Sequence, residues 1–164
     1  MRIQVIVFAI FLSASTLLHG EPRVRETHKD WTVVCDVPSQ LQTEVCLIVQ
    51  QRNLRDSEQP IIRVEIGYAI QTGAPFAVIT TPLGVALAAG LSMRIDNGET
   101  TQFDYGSCIP KGCVVGAGLT DIQITSMKTG KEAQFTFKDN HSRDIVVPVS
   151  LKGFTAALRS IAPQ

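Results

Sequence analysis

The sequence is poor in the features that usually announce a function. Aromatic residues make up only 6% of its 164 residues, with a single tryptophan, Trp31. Charge is scarce and balanced, at 15 Lys+Arg against 15 Asp+Glu. A nucleic-acid binder needs a basic face to neutralise phosphates, so this balance argues against such a partner. The apolar stretch at the start, Ile3 to Leu12, spans ten residues. That is too short to cross a bilayer of about 30 Å as a helix, and no transmembrane segment is expected.

Catalytic patterns are equally sparse. Beyond the first 20 residues the chain has two histidines, His28 and His141, in polar stretches and outside any H-E-x-x-H pattern. Both are expected on the solvated surface. Ser107, in Tyr105-Gly106-Ser107-Cys108, lacks the second glycine of a nucleophile elbow and reads as a loop serine. Asp96, Glu99 and Asp104 gather near a turn without the spacing of a calcium loop. Gly84, Gly90, Gly116 and Gly118 form no phosphate cradle and are expected in turns and bends. Asn140-His141-Ser142 matches a glycosylation sequon, a pattern short enough to arise by chance. No catalytic residue, cofactor site or metal site is therefore assigned.

What is present points to export. Met1 and Arg2, the apolar Ile3 to Leu12 and the small, polar Ser13 to Gly20 have the layout of a secretory leader. Residues 1–20 are expected to be a signal peptide cleaved after Gly20, leaving 21–164 as one domain in the periplasm or outside the cell. That length can bury roughly 68% of its unfolded surface. Setting Arg2 aside with the leader leaves 14 basic and 15 acidic residues. No cysteine adjoins the apolar run, so any outer-membrane association would be peripheral and non-covalent.

Cys35, Cys46, Cys108 and Cys113 all lie in the exported part, where an even count reads first as disulfides. Three pairings are open. Cys35 and Cys46 flank a polar turn between two β-like runs, and Cys108 and Cys113 enclose Ile109-Pro110-Lys111-Gly112, so the two local pairs close most easily. A four-cysteine zinc site would want C-x2-C spacings that are absent here.

The remaining pattern is mostly β. Trp31–Cys35 and Glu44–Gln51 make a first hairpin, with Trp31 as a buried anchor. Pro60–Ile70 alternates, with Ile62, Val64, Ile66 and Tyr68 on one face, and Pro75–Thr81 is a short strand. Pro82–Gly90 is read as extended with a bend. Leu91–Asp96 and Thr100–Tyr105 flank Asn97-Gly98, which suits a type I′ turn. Thr120 and Gln123 match a capping box opening a helix of about two turns, with Leu119 and Ile124 as a staple and Gly130 as its stop. Lys131–Lys138 and Asp144–Val149 are further strands, the second pushed towards an edge by Pro148. Leu151, Phe154, Leu158 and Ile161 fall at helical spacing. The expected fold is all-β, an antiparallel sandwich or open barrel of seven to nine short strands with two small helices.

The order of these motifs is more specific than any one of them. Asp30 to Cys35 (DWTVVC), Cys46 to Gln50 (CLIVQ), Pro82 to Leu87 (PLGVAL) with Gly90, Cys108 with Gly112-Cys113, and Val149 to Phe154 (VSLKGF) with Ala157-Leu158 together resemble the invasion-associated locus B family over nearly the whole exported part. One departure is Ala88-Ala89 before Gly90, where a proline-containing turn is expected. The resemblance implies an all-β protein of the Gram-negative cell envelope, periplasmic or at the outer membrane, linked in some pathogens to host-cell invasion. It implies no known enzymatic activity and no catalytic or ligand residues, and it carries over the pairs Cys35 with Cys46 and Cys108 with Cys113. A binding module for a protein or cell-surface partner ranks first among the readings. A structural or stress-related factor and an unrecognised hydrolase follow.

Overall fold

The computed structural model describes residues 22–41 and 43–163; the expected leader and its cleavage point lie outside the described residues. In chain order the elements are β1 (Arg23–His28), β2 (Trp31–Asp36), β3 (Val45–Asn53), β4 (Pro60–Tyr68), β5 (Pro75–Thr81), β6 (Leu91–Ile95), β7 (Thr100–Phe103), β8 (Ser107–Ile109), β9 (Gly112–Gly118), α1 (Asp121–Thr129), β10 (Glu132–Lys138), β11 (Asp144–Ser150) and α2 (Phe154–Ser160). They form two antiparallel sheets, a larger one ordered β1-β2-β3-β4-β5-β9-β8 and a smaller one ordered β11-β10-β6-β7. Neither closes into a barrel.

Period-two patterning builds both sheets. Ile62, Val64 and Ile66 of β4 are buried and alternate with Arg63 and Glu65, while Ala133, Phe135 and Phe137 of β10 supply the inner face of the smaller sheet. Between the sheets these residues join one core with Met127 of α1 and Phe154 and Leu158 of α2. The capping box of α1 is formed: the Gln123 N–H donates to Thr120 Oγ1 at 3.2 Å and the Thr120 N–H donates to Gln123 Oε1 at 2.8 Å. Pro148 lies in β11, an edge strand, as its missing donor requires.

One node ties the two sheets together. The Trp31 indole N–H and the Gln50 amide both donate to the Ser150 carbonyl at 2.9 Å, and the Ser150 N–H donates back to Gln50 Oε1 at 3.0 Å. Phe154 meets the Trp31 ring edge to face, centroids 5.3 Å apart. Gly153 caps α2 at φ 89°, and a methyl there would collide with the His28 carbonyl, so neither its backbone angle nor its surroundings admit a larger residue. Cys35 faces Cys46 across β2 and β3, and Cys108 faces Cys113 across β8 and β9, each pair joined as a disulfide.

The structure corrects the expected outline in five places. Among the described residues there are eleven strands rather than seven to nine. The first addition is β1, whose sequence RVRETH offers no buried face; as an edge strand it needs only the free backbone of β2. The second is the hairpin of β8 and β9, where Ser107 lies in a strand rather than a loop and Gly116 and Gly118 sit within a strand instead of a bend because Cys113 and Val115 supply the core face. Asn97-Gly98 does not form a type I′ turn. The positive φ falls one residue earlier, on Asp96, whose carboxylate accepts the N–H groups of Lys131 and Glu132 at 3.0–3.2 Å, so the neighbouring β10 sets the turn. Pro82–Gly90 is a turn at Leu83-Gly84, a single bridge from Val85 to Asp139 and a 3-10 turn over Leu87–Ala89, which uses the helix-forming alanines.

Candidate interaction surface

The candidate chemical groups are scattered. Ser107 lies in β8, at one edge of the larger sheet, and His28 ends β1, at the other. Six strand spacings of about 4.8 Å separate them along the sheet. His141 lies in the turn between β10 and β11 of the other sheet. A serine nucleophile needs its base within about 3 Å, and the described hydrogen bonds give Ser107 no such partner. Asp96 spends its carboxylate on the N–H groups of Lys131 and Glu132 at the start of β10, and Asp139 spends its own on the N–H groups of His141 and Arg143 in its turn and on the Arg143 side chain. Hydrogen bonds from the Arg143 backbone and side chain hold the Asp139 carboxyl below its usual range. The sequon residues Asn140 to Ser142 share this turn, and Glu99 and Asp104 are exposed. Cys35, Glu44 and Cys46 bring ligand-type atoms within 4.8 Å of one another, but the two sulfurs are joined in a disulfide and offer no thiolate.

His28 departs from expectation. Instead of lying free in solvent it is half-buried, with Nε2 3.2 Å from Glu26 Oε2 in a contact poorly aligned for an N–H donor. The polar groups of Ser160, then His28, beside it hold the Glu26 carboxyl below its ordinary value. The reason is tertiary, since the end of β1 is pressed against the start of α2 at Gly153.

The larger sheet has its buried face towards the core, and the register of the other face resolves into three parallel rows. Val24, Val34, Leu47, Gly67, Phe76 and Gly118 make an apolar row without a charge, in which Leu47 lies against Gly67. Beside it run Val49, Glu65, Val78 and Gly116. The third row is Gln51, Arg63, Thr80, Val114 and Ser107. Arg63 and Glu65 pair at 2.9 Å across their shared face.

Over the second and third rows lies a groove of about 920 Å³. Its floor includes Arg63, Glu65, Val78 and Thr80, and its rim carries Leu83 and the Ile109-Pro110-Lys111 turn. Leu83 is 58% exposed and Ile109 45%, so two large apolar side chains stand in water at the mouth. The Cys108–Cys113 disulfide fixes that turn, and Gly112 at its base lies so close to the Thr81 carbonyl that a methyl would clash. A second cleft of about 430 Å³ runs between α1 and the β6–β7 hairpin, where Ile122 is 80% exposed. Among the described residues no helix is long and apolar enough to cross a membrane.

Sequence reasoning singled out neither Leu83 nor Ile109. Each stands beside a proline in a turn, and an apolar residue in a turn is the signal that could have marked them.

Comparison with known proteins places this architecture among relatives. A family model described as Invasion associated locus B (IalB) protein matches residues 31–162. An invasion protein B homolog of Brucella abortus is 30% identical over 149 residues, covering 90% of this chain and 84% of that one. The invasion protein B of Bartonella bacilliformis is 21% identical over 153 residues, covering 91% and 80%. The crystal structure of invasion associated protein B from Bartonella henselae superposes with a TM-score of 0.74 at 19% identity, over 83% of this chain and 92% of that one, a likeness of fold.

Proposed function

We propose, since this chain belongs to the invasion associated locus B family, that it is an exported cell-envelope protein acting by surface contact rather than by catalysis, in host-cell invasion or envelope maintenance. The observation that carries the reading is the outer face of the larger sheet. There an apolar row adjoins a groove of about 920 Å³ whose mouth is rimmed by Leu83 and Ile109. Exposed apolar side chains next to a charged pair suit a protein surface, which buries an apolar centre and satisfies a polar rim. The candidate nucleophile and histidines stand on different sheets and edges, which favours contact over acid–base chemistry.

The reading also takes residues 21–164 as the mature domain, released into the periplasm or beyond after cleavage near Gly20. The partner is a protein or another cell-surface component, and any outer-membrane association is peripheral. The test is crosslinking in intact cells, comparing the wild type with a Leu83→Asp, Ile109→Asp double variant. The wild type should give a discrete adduct that the double variant loses while keeping its melting temperature. Ser107→Ala abolishing the phenotype while the double variant preserved it would overturn the reading in favour of an enzyme.

A further inference from the structure

The structure's two disulfides differ in their surroundings. Cys108–Cys113 sits at the β8 edge with no described hydrogen bond or ion pair to either sulfur. Cys35–Cys46 has one sulfur-bearing residue sealed in the core, Cys35 at 3% exposure, and the other half-buried. Opposite ion-pair partners flank the second. An Arg25 guanidinium nitrogen lies 3.6 Å from Cys46 Sγ, and the same guanidinium binds Glu44 at 2.9 Å, whose carboxylate is 4.0 Å from that sulfur.

Arg25 reaches this position because of a local irregularity. The β1–β2 register shifts between Val24 and Glu26, leaving Arg25 as the bulged residue, and a bulge re-aims the side chain it carries. An edge strand with one bulge thus delivers a cation to one particular sulfur.

We propose that Cys35–Cys46 is a thiol–disulfide exchange site, at which an external thiol attacks Cys46 under the control of Arg25 and Glu44. The incoming thiol gives up its proton and forms a bond to Cys46 Sγ as the Cys35–Cys46 bond breaks, and Cys35 leaves as a thiolate that takes up that proton. With a dithiol, the second thiol then attacks its own sulfur in the mixed disulfide. The bond to Cys46 breaks, Cys46 leaves as a thiolate beside Arg25, and a second proton is taken up. Two electrons pass from the dithiol, which becomes a disulfide, to the protein pair. In both steps a negative charge spreads over three sulfurs in line, so the Arg25 cation lowers the barrier and the Glu44 anion raises it. The physiological reactant is a dithiol of the oxidoreductase class or a small thiol.

The test uses the oxidised protein, limiting dithiothreitol, alkylation of freed thiols and peptide mass spectrometry, with Cys108–Cys113 as the reference in the same molecule. Relative to that reference, Arg25→Gln should slow reduction of Cys35–Cys46 by about threefold, Glu44→Gln should speed it by a similar factor, and Arg25→Lys should stay near the wild type. Glutathione in place of the dithiol should leave its adduct on Cys46. Unchanged rates, shifts of the same sign in both variants, both disulfides changing together, or an adduct on Cys35 would each overturn the proposal.

Discussion

The node beneath the larger sheet and the groove above it lie on opposite faces of that sheet and obey opposite rules. In the node, Trp31, Gln50, Ser150 and Phe154 come from four elements and satisfy one another completely, with Trp31 and Phe154 wholly buried. In the groove, Arg63 and Glu65 pair with each other while Leu83 and Ile109 stand exposed at the rim. Trp31, Gln50, Ser150, Gly153 and Phe154 all belong to the motifs that carry the family resemblance, so those motifs describe how the sheets are clamped. Of the residues suited to a partner, Leu83 belongs to another of those motifs, while Arg63, Glu65 and Ile109 lie between them.

The sharpest way to break this contrast is to empty the node. Trp31→Ala should destabilise the protein by about 3 to 5 kcal/mol, as expected for a buried aromatic, measured by urea unfolding. Phe154→Ala should fall in the same range, and a smaller loss at both would mean that the node does not clamp the sheets. Breaking the first disulfide by Cys35→Ala should cost on the order of 2 to 4 kcal/mol by chain-entropy arithmetic.

Gln50→Leu keeps the bulk but strips the Ser150 N–H of its acceptor, and should cost about 1 to 3 kcal/mol, the penalty of an unsatisfied buried donor. If it were neutral, the hydrogen bonds would be incidental to the packing. Leu83→Asp with Ile109→Asp sits at the other extreme, with unfolding stability expected within roughly ±0.5 kcal/mol of the wild type. A large loss there would show that the rim is part of the core and dissolve the distinction.

The smallest expected effect is at Asp139. Its carboxyl is held low in the folded protein, so its stabilising contribution is present above the unfolded pKa of about 3.9 and is lost as the pH falls through the depressed folded value. Asp139→Asn should therefore flatten the acid limb of a stability-against-pH curve below about pH 4 and leave the neutral region with a modest loss. An unchanged acid limb would remove Asp139 from the account.

Much of this was legible in the chain itself. Alternation marked β4 and β10 and a short apolar run marked β5, each almost to the residue; Thr120 and Gln123 marked the start of α1, and Pro148 marked an edge. Each signal is local, because a strand must bury one face and a helix must satisfy its first N–H groups whatever lies around it. The outer groove was not legible, since Arg63, Glu65, Leu83 and Ile109 are separated by up to 46 positions and carry no motif. They meet only because β4, β5, β9 and β8 are neighbours in that order.

The sequence by itself thus determined the β class, both helices and the proximity of the paired cysteines, all consequences of periodicity and short-range geometry. Tertiary structure alone decided that a polar segment becomes β1, because an edge strand is specified by the backbone beside it rather than by its own side chains. It alone moved the positive φ from Asn97-Gly98 to Asp96, because the N–H groups of Lys131 and Glu132 were waiting for that carboxylate. It also decided that Arg25 bulges towards Cys46, because register between neighbouring strands, which no local pattern encodes, sets where an extra residue must go.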